Sequence, residues 1–329
     1  MSLARVRGPG EPDMISDLVA AAIVEEYARR DPAARLNIRV SGGHGALFVV
    51  GEVLSTADFD VSAIVRKTLL TNGIHAPIEP FIALERMSPN WAPERGSREL
   101  VSGFGYATNE SQDFLPRAAS LARDAARELE RRRTSDPDWF WLGSDYTVYA
   151  EDGKNTTISI RAEHVDQESV TDVRKKLTEL LQARYPGALI SINEAGAETG
   201  AGLETRIGSS GLHFASDQFG SRLPTNSSAS GRHLSHPANA GTALIRALAR
   251  ELVLEGKGNA VMIHAYWRPL ETKPSFLSAR NETGKNLGTL IDLTRLDLAN
   301  IPETYLEPGL AVARLRAAFD GSVELPWEK

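Results

Sequence analysis

LNIRVSGGHGALFVVGEVLS, residues 36–55, is the stretch on which the fold turns. Its glycines Gly42, Gly43 and Gly45 suggest at first sight a phosphate-binding loop. A dinucleotide fingerprint, however, needs strand, turn and helix in succession. Here apolar residues resume in a second strand after the glycines, so the stretch reads as a tight hairpin. Upstream, ISDLVAAAIVEEYARR (15–30) sets Ile15, Leu18, Val19, Ala22, Ile23 and Tyr27 on one helical face. Downstream, DVSAIVRKTLLTN (60–72) is a second helix opened by an Asp or Ser cap, and IEPFIALE (78–85) is a third strand.

The same order returns. Residues 114–133 form an amphipathic helix, and 144–153 with 156–164 a hairpin across Asp152–Gly153. Residues 167–186 are a helix and 188–195 a strand. A third copy starts at Ala240, with a helix over 241–256, paired strands at 260–269 and 274–282, and short helices around 288–297 and 305–319. Three helix-strand-strand-helix units imply an α/β chain of three sheets, each covered by helices on one face. The expected divisions are 10–113, 114–239 and 240–329. Residues 196–239, rich in Gly, Ser, Thr and Asn, break the repeat and read as a functional or mobile loop, and 88–100 is a second candidate loop.

Composition narrows the function. The 329 residues include no cysteine, which excludes disulfides, thiolate zinc sites and cysteine nucleophiles. A net charge of −6, from 37 basic and 43 acidic side chains, argues against general binding to nucleic acid or anionic membranes. No apolar run reaches the length of a membrane span, and MSLARVRGPGEPD lacks the apolar stretch of a signal peptide, so the cytoplasm is the expected location. His233 and His236 stand three residues apart beside Arg232. Without a third ligand this spacing argues against a metal and for an anion clamp. FGYATNES (104–111) reads as a strand end followed by helix-capping Asn109 and Ser111. His164 and His264 read as structural histidines.

A series of short motifs resembles the S-adenosylmethionine synthetase (methionine adenosyltransferase) family. Gly10-Glu11-Pro12-Asp13-Met14-Ile15-Ser16-Asp17 is similar to that family's opening Gly-His-Pro-Asp-Lys-Ile-x-Asp. Gly51-Glu52-Val53 resembles its Gly-Glu-Ile strand, and Ser88-Pro89-Asn90 its Ser-Pro-Asp segment. Phe104 through Glu110 matches a distinctive family heptad completely. Gly208 and Gly211 keep the spacing of its Gly-Leu-Thr-Gly turn, Ser230-Gly231-Arg232 resembles Ser-Gly-Lys, and Pro326-Trp327-Glu328-Lys329 matches its ending. The resemblance runs in order over nearly the whole chain. It implies three related α/β domains around a pseudo-threefold axis and a homodimer or dimer of dimers. The implied reaction joins ATP and L-methionine into S-adenosylmethionine, with phosphate and pyrophosphate released.

In that chemistry a neutral thioether attacks the ribose C5′, so no general base is needed. The site must align two substrates and surround the departing triphosphate with positive charge. The implied cofactors are Mg²⁺ and K⁺, with Asp13 as the metal ligand. Glu52 and Glu99 are expected to hold the amino acid's ammonium group. Met87, Gly208, Gly211 and Asp217 are expected against the substrates. Here the chain departs from the pattern. The motif histidine is Glu11, the motif lysine is Met14, and an Arg-Lys pair aligns with Leu212-His213. A metal-binding Asp aligns with Arg206, two lysines with Arg232 and His236, and an aspartate with Ala238. The expectation is a rebuilt clamp of Arg206, Arg232, His213 and His236 on the phosphates, with Glu11 in a metal role. The competing expectations are a catalytically silent homologue that binds a nucleoside or S-adenosylmethionine as a partner or regulator, and a changed reaction in specialised metabolism.

Overall fold

The 36–55 hairpin forms as β2 (Arg35–Gly43) and β3 (Ala46–Leu54), turned at His44 and Gly45 with φ of 53° and 90°. Positive φ at both central residues is the geometry whose twist matches that of the flanking strands. The computed structural model describes residues 2–91, 93, 95–213, 219–223, 229–319 and 323–329. Helix α1 (Pro12–Arg30) starts three residues earlier than the apolar pattern suggests, because Glu11 caps it and Pro12 fits its first turn. Ile15, Leu18, Val19 and Ile23 are buried as expected, but so are Asp17, Ala20, Ala21 and Val24 on the other side. The helix is therefore central rather than superficial. Asp60 caps α2 (Val61–Thr71), which returns the chain to β4 (Glu79–Arg86), parallel to β3.

The second unit repeats this arrangement. Strands β6 (Leu142–Asp152) and β7 (Thr156–His164) form the hairpin, and α4 (Val170–Arg184) leads to β8 (Leu189–Ile192), parallel to β7. In the third, α5 (Pro237–Leu254) precedes the antiparallel pair β10 (Ala260–Trp267) and β11 (Phe276–Asn281). Short 3-10 turns and α6 (Leu310–Phe319) then stand where the other units place a helix and a returning strand.

Each sheet also takes a strand from elsewhere in the chain. The N-terminal β1 (Ser2–Arg7), which the sequence pattern does not announce, pairs with β6. The Phe104–Glu110 heptad lies largely in β5 (Val101–Thr108), which leaves the first unit to pair with β10. A two-residue strand from the long loop, β9 (Gly208–Ser209), pairs with β2. The sheet orders are β1-β6-β7-β8, β11-β10-β5 and β4-β3-β2-β9. The expected divisions at 113 and 239 follow the chain, whereas sheet membership crosses both. Asn109 and Ser111 do not cap α3 (Arg117–Ser135). Pro116 precedes it, and the Ser111 hydroxyl instead closes the turn onto Leu115.

The inner face of the first sheet carries Leu36, Ile38, Val40, Leu47 and Val49, all buried under the helices. Its outer face alternates to Asn37, Arg39, Ser41, Phe48, Val50 and Glu52, and Phe48 stacks on Phe81 at 5.0 Å between centroids. That open face lets polar groups of β2 take part in a site. Among the described residues no helix is long and apolar enough to cross a membrane.

Candidate active site

Glycines let the 206–213 segment close on the start of α1. A Cβ on Gly208 would run into the Pro12 carbonyl, and Gly211 sits at φ 88°, a region that favours glycine. This approach brings the Ser209 N–H to 2.8 Å from one oxygen of Asp13 and the Gly211 N–H to 2.7 Å from Asp17. His213 Nε2 lies 3.0 Å from the other Asp13 oxygen. Burial pushes the Asp13 carboxyl up, but the hydrogen bonds from His213 and Ser209 and the charge of Arg7 outweigh it and hold it below the usual carboxylate range.

Glu11, expected in a metal role, turns inward. Its Oε2 accepts the N–H groups of Asp13 and Met14 at 3.1 and 3.0 Å and lies 3.2 Å from Arg7. Arg7 is 1% exposed and reaches Asp17 with its other terminal nitrogen at 3.3 Å. One buried guanidinium thus balances two carboxylates, and the positive end of the α1 dipole reinforces the cap. Met14, at the family's lysine position, is packed into the core. Asp17 is fully buried, and that burial drives its carboxyl up against the pull of Arg7.

Strand β2 sets the remaining groups in a row. The carbonyl of Arg206 abuts Gly43, Gly208 and Ser209 pair with Gly42 and Ser41, and Arg39 donates to the Ser230 carbonyl at 2.7 Å. Arg232 bridges to Asn37, whose partner across the hairpin is Glu52. Glu52 and Arg232 therefore flank one strand, roughly 10 Å apart by strand spacing, and Asn37 lies about 13 Å along β2 from Ser41. Arg206, Asp13, His213 and Arg232 gather along one side of β2, with Glu52 across it on β3.

Side-chain directions are less uniform. Arg206 is ion-paired to Asp145, which is 1% exposed and also accepts from Arg161 and, at 2.7 Å, from the Gly202 N–H. Arg232 reaches the exposed Glu99 at 3.0 Å, joining two residues expected to hold different substrates. Arg39 lies close enough to Arg232 that burial and their like charges push the Arg39 guanidinium down. His236 is not a phosphate-gripping cation. Its Nδ1 caps α5 through the Ala238 N–H, and burial drives its pKa well below the usual histidine value. His233 is buried beside it and pushed down to about 3 by desolvation and the charge of Arg35. Met87 is also buried, and Asp217 lies outside the described residues.

Three residues went unread in the sequence. Arg39 was legible in principle, as a basic residue at an outward position of an alternating strand. Arg7 was hidden because the strand that buries it borders a motif and is short. Asp145 pairs with Arg206 across 61 residues, a distance at which local pattern carries no information.

Among the described residues no cluster of three or more His, Asp or Glu could enclose a metal. The two oxygens of Asp13 are met by the Ser209 N–H and the His213 ring.

The family model for the N-terminal domain of S-adenosylmethionine synthetase matches residues 5–83, spanning α1, the hairpin and β4. The S-adenosylmethionine synthase of Pseudothermotoga lettingae is 26% identical over 308 residues, covering 80% of this chain and 78% of its own. That of Oenococcus oeni is 23% identical over 366 residues, covering 97% and 94%. In structure, an unusual S-adenosylmethionine synthetase from Campylobacter jejuni superposes with a TM-score of 0.82 at 20% identity, covering all of this chain and 97% of that one. In sequence the chain is thus similar along most of its length to S-adenosylmethionine synthases, and it has the fold of an S-adenosylmethionine synthetase.

Proposed function

We propose that the β2 edge binds ATP and methionine, or a close analogue, and forms a sulfonium product with loss of the triphosphate. The observation that carries this reading is the single row along β2, with Asp13 and His213 at one end and Glu52, Arg232 and Arg39 at the other. Its length suits a nucleotide lying along the strand. Asp13 would hold a Mg²⁺, which would supply positive charge against the leaving group. His213 fixes the Asp13 carboxylate and presents its ring to the same phosphates. Arg232 and Arg39 meet the remaining phosphate oxygens, a task for which the planar guanidinium surpasses lysine. Glu52 receives the ammonium group of the amino acid. Glu99 exchanges its pairing with Arg232 for that same group as the phosphates arrive. The chain acts as a homodimer, whose partner covers the open apolar face around Phe48 and Phe81.

A second reading is binding without turnover. It is favoured by the engagement of Arg206 with Asp145, which withdraws one expected cation from the phosphates. Incubation with ATP, Mg²⁺, K⁺ and methionine, followed by mass detection of the sulfonium and of phosphate, separates the two. Sulfonium together with phosphate upholds the first reading. Tight binding of S-adenosylmethionine with no product upholds the second, and phosphate without sulfonium overturns both.

A further inference from the structure

Helices α2 and α6 both pack on α1 and leave a trough of about 460 Å³ between them. The volume falls within the range of small-molecule sites. Its floor follows α1 from Leu18 to Arg29, and Leu18, Ala22, Ile64 and Val312 give it an apolar lining. Glu25, in the trough, lies twelve residues along α1 from Asp13, about 18 Å of helix, so the hollow is separate from the β2 edge.

Most polar groups along the trough are answered within the chain. Arg29 and Arg30 hold Glu26. The Thr68 and Thr71 hydroxyls and the Asn72 amide donate to carbonyls of their own helix. Three charges are left over. Glu25 accepts the Val312 N–H at 2.7 Å with one oxygen, which caps the start of α6. Burial pushes its carboxyl up, and only that N–H acts against the shift, so no cation answers it. The Lys67 ammonium and the Arg316 guanidinium line the same trough, and neither makes an ion pair or hydrogen bond with a described residue. Arg316 follows Val312 by four residues, about 6 Å along α6.

An acid and two bases thus share one hollow without meeting. A simple cation would suit Glu25 but be repelled by Lys67 and Arg316, and a simple anion would meet the reverse. A ligand that carries both charges on an apolar body satisfies all three groups and the lining together. We propose that this trough binds a free α-amino acid with a large apolar side chain. Its ammonium group meets Glu25, its carboxylate meets Lys67 and Arg316, and its side chain lies on Leu18 and Ile64. The proposal does not rest on the activity of the β2 edge.

Titration calorimetry of the full chain with L-phenylalanine tests it, with 3-phenylpropionate and phenethylamine as probes that carry one charge each. L-Phenylalanine is expected to bind roughly tenfold more tightly than either, in line with one added charge-assisted contact. Glu25→Gln keeps an oxygen for the Val312 N–H and should weaken L-phenylalanine by a similar factor, while 3-phenylpropionate binds no more weakly than before. Arg316→Gln should weaken both. Glu52→Gln should leave the affinity for L-phenylalanine unchanged. The proposal is overturned by the absence of binding at millimolar concentration, by wild-type affinity in Glu25→Gln, or by loss of binding in Glu52→Gln, which would place the ligand at the β2 edge. If Glu25→Gln fails to melt cooperatively, Arg316→Gln decides alone.

Discussion

The two walls of the candidate site solve the problem of charge in opposite ways. At the start of α1, Glu11, Asp13 and Asp17 are all answered from within the chain, by Arg7, by His213 and by the N–H groups of Ser209 and Gly211. Across β2, Arg39 and Arg232 crowd one another, and the buried Nε2 atoms of His233 and His236 have no hydrogen-bond partner. The first wall is complete without a ligand. The second carries a tension that an anion would relieve. The comparison teaches that the carboxylates at α1 are balanced within the chain, whereas the basic groups along β2 are left crowded against one another.

The largest expected effect would break the scaffold wall. Arg7→Met leaves Glu11 and Asp17 buried without their cation, and should cost about 3–5 kcal/mol in urea unfolding. A loss below about 1 kcal/mol would show that the pair does not hold the wall together. Next, Arg232→Ala should reduce affinity for MgATP roughly 10- to 100-fold, the scale of one or two charge-assisted contacts, with little change in stability. Equal nucleotide affinity in mutant and wild type would move the phosphates elsewhere.

The buried imidazoles sharpen the contrast through pH. His233 is held near a pKa of about 3, against an ordinary value of 6.5, so the unfolded chain takes up its proton first. The stability linked to its neutral form is whole above about pH 6.5 and drains as pH falls toward 3, by up to about 1.4 kcal/mol per unit. Urea midpoints at pH 7.5, 6 and 5 should show that slope, and His233→Gln should flatten it. Asp13 behaves as a lowered carboxylate: its contribution is present above its ordinary value of 3.8 and is lost only at lower pH. The smallest effect is at Glu52, which is exposed. Glu52→Gln should shift stability by less than about 0.5 kcal/mol yet raise the KM for the amino acid. An unchanged KM would remove Glu52 from the site.

Much of the fold was legible because its elements are locally coded. The hairpin follows from alternation around Gly42–Gly45, α2 from its Asp60 cap, and the second hairpin from Asp152–Gly153. The exchanged strands were not, since β1 and β9 are short and β5 reads the same whichever sheet receives it. In the site, Asp13 and the glycines of the 208–211 turn were named from motif and lie together at α1. Glu11 and His236 were named from the same motifs and proved to be helix caps. A motif position fixes the backbone, but the partner that claims a side chain comes from another part of the chain.

By itself, then, the sequence determined three α/β units, the hairpins and the Asp60 cap within them, and the order of the motifs. Tertiary structure alone decided which strand completes each sheet, that Arg7 balances Glu11, that Asp145 takes Arg206, and that His236 stays neutral. The physical reason is range. Periodicity, turns and caps are settled within a few residues, whereas the charge state and direction of a side chain depend on burial and on partners brought from far along the chain.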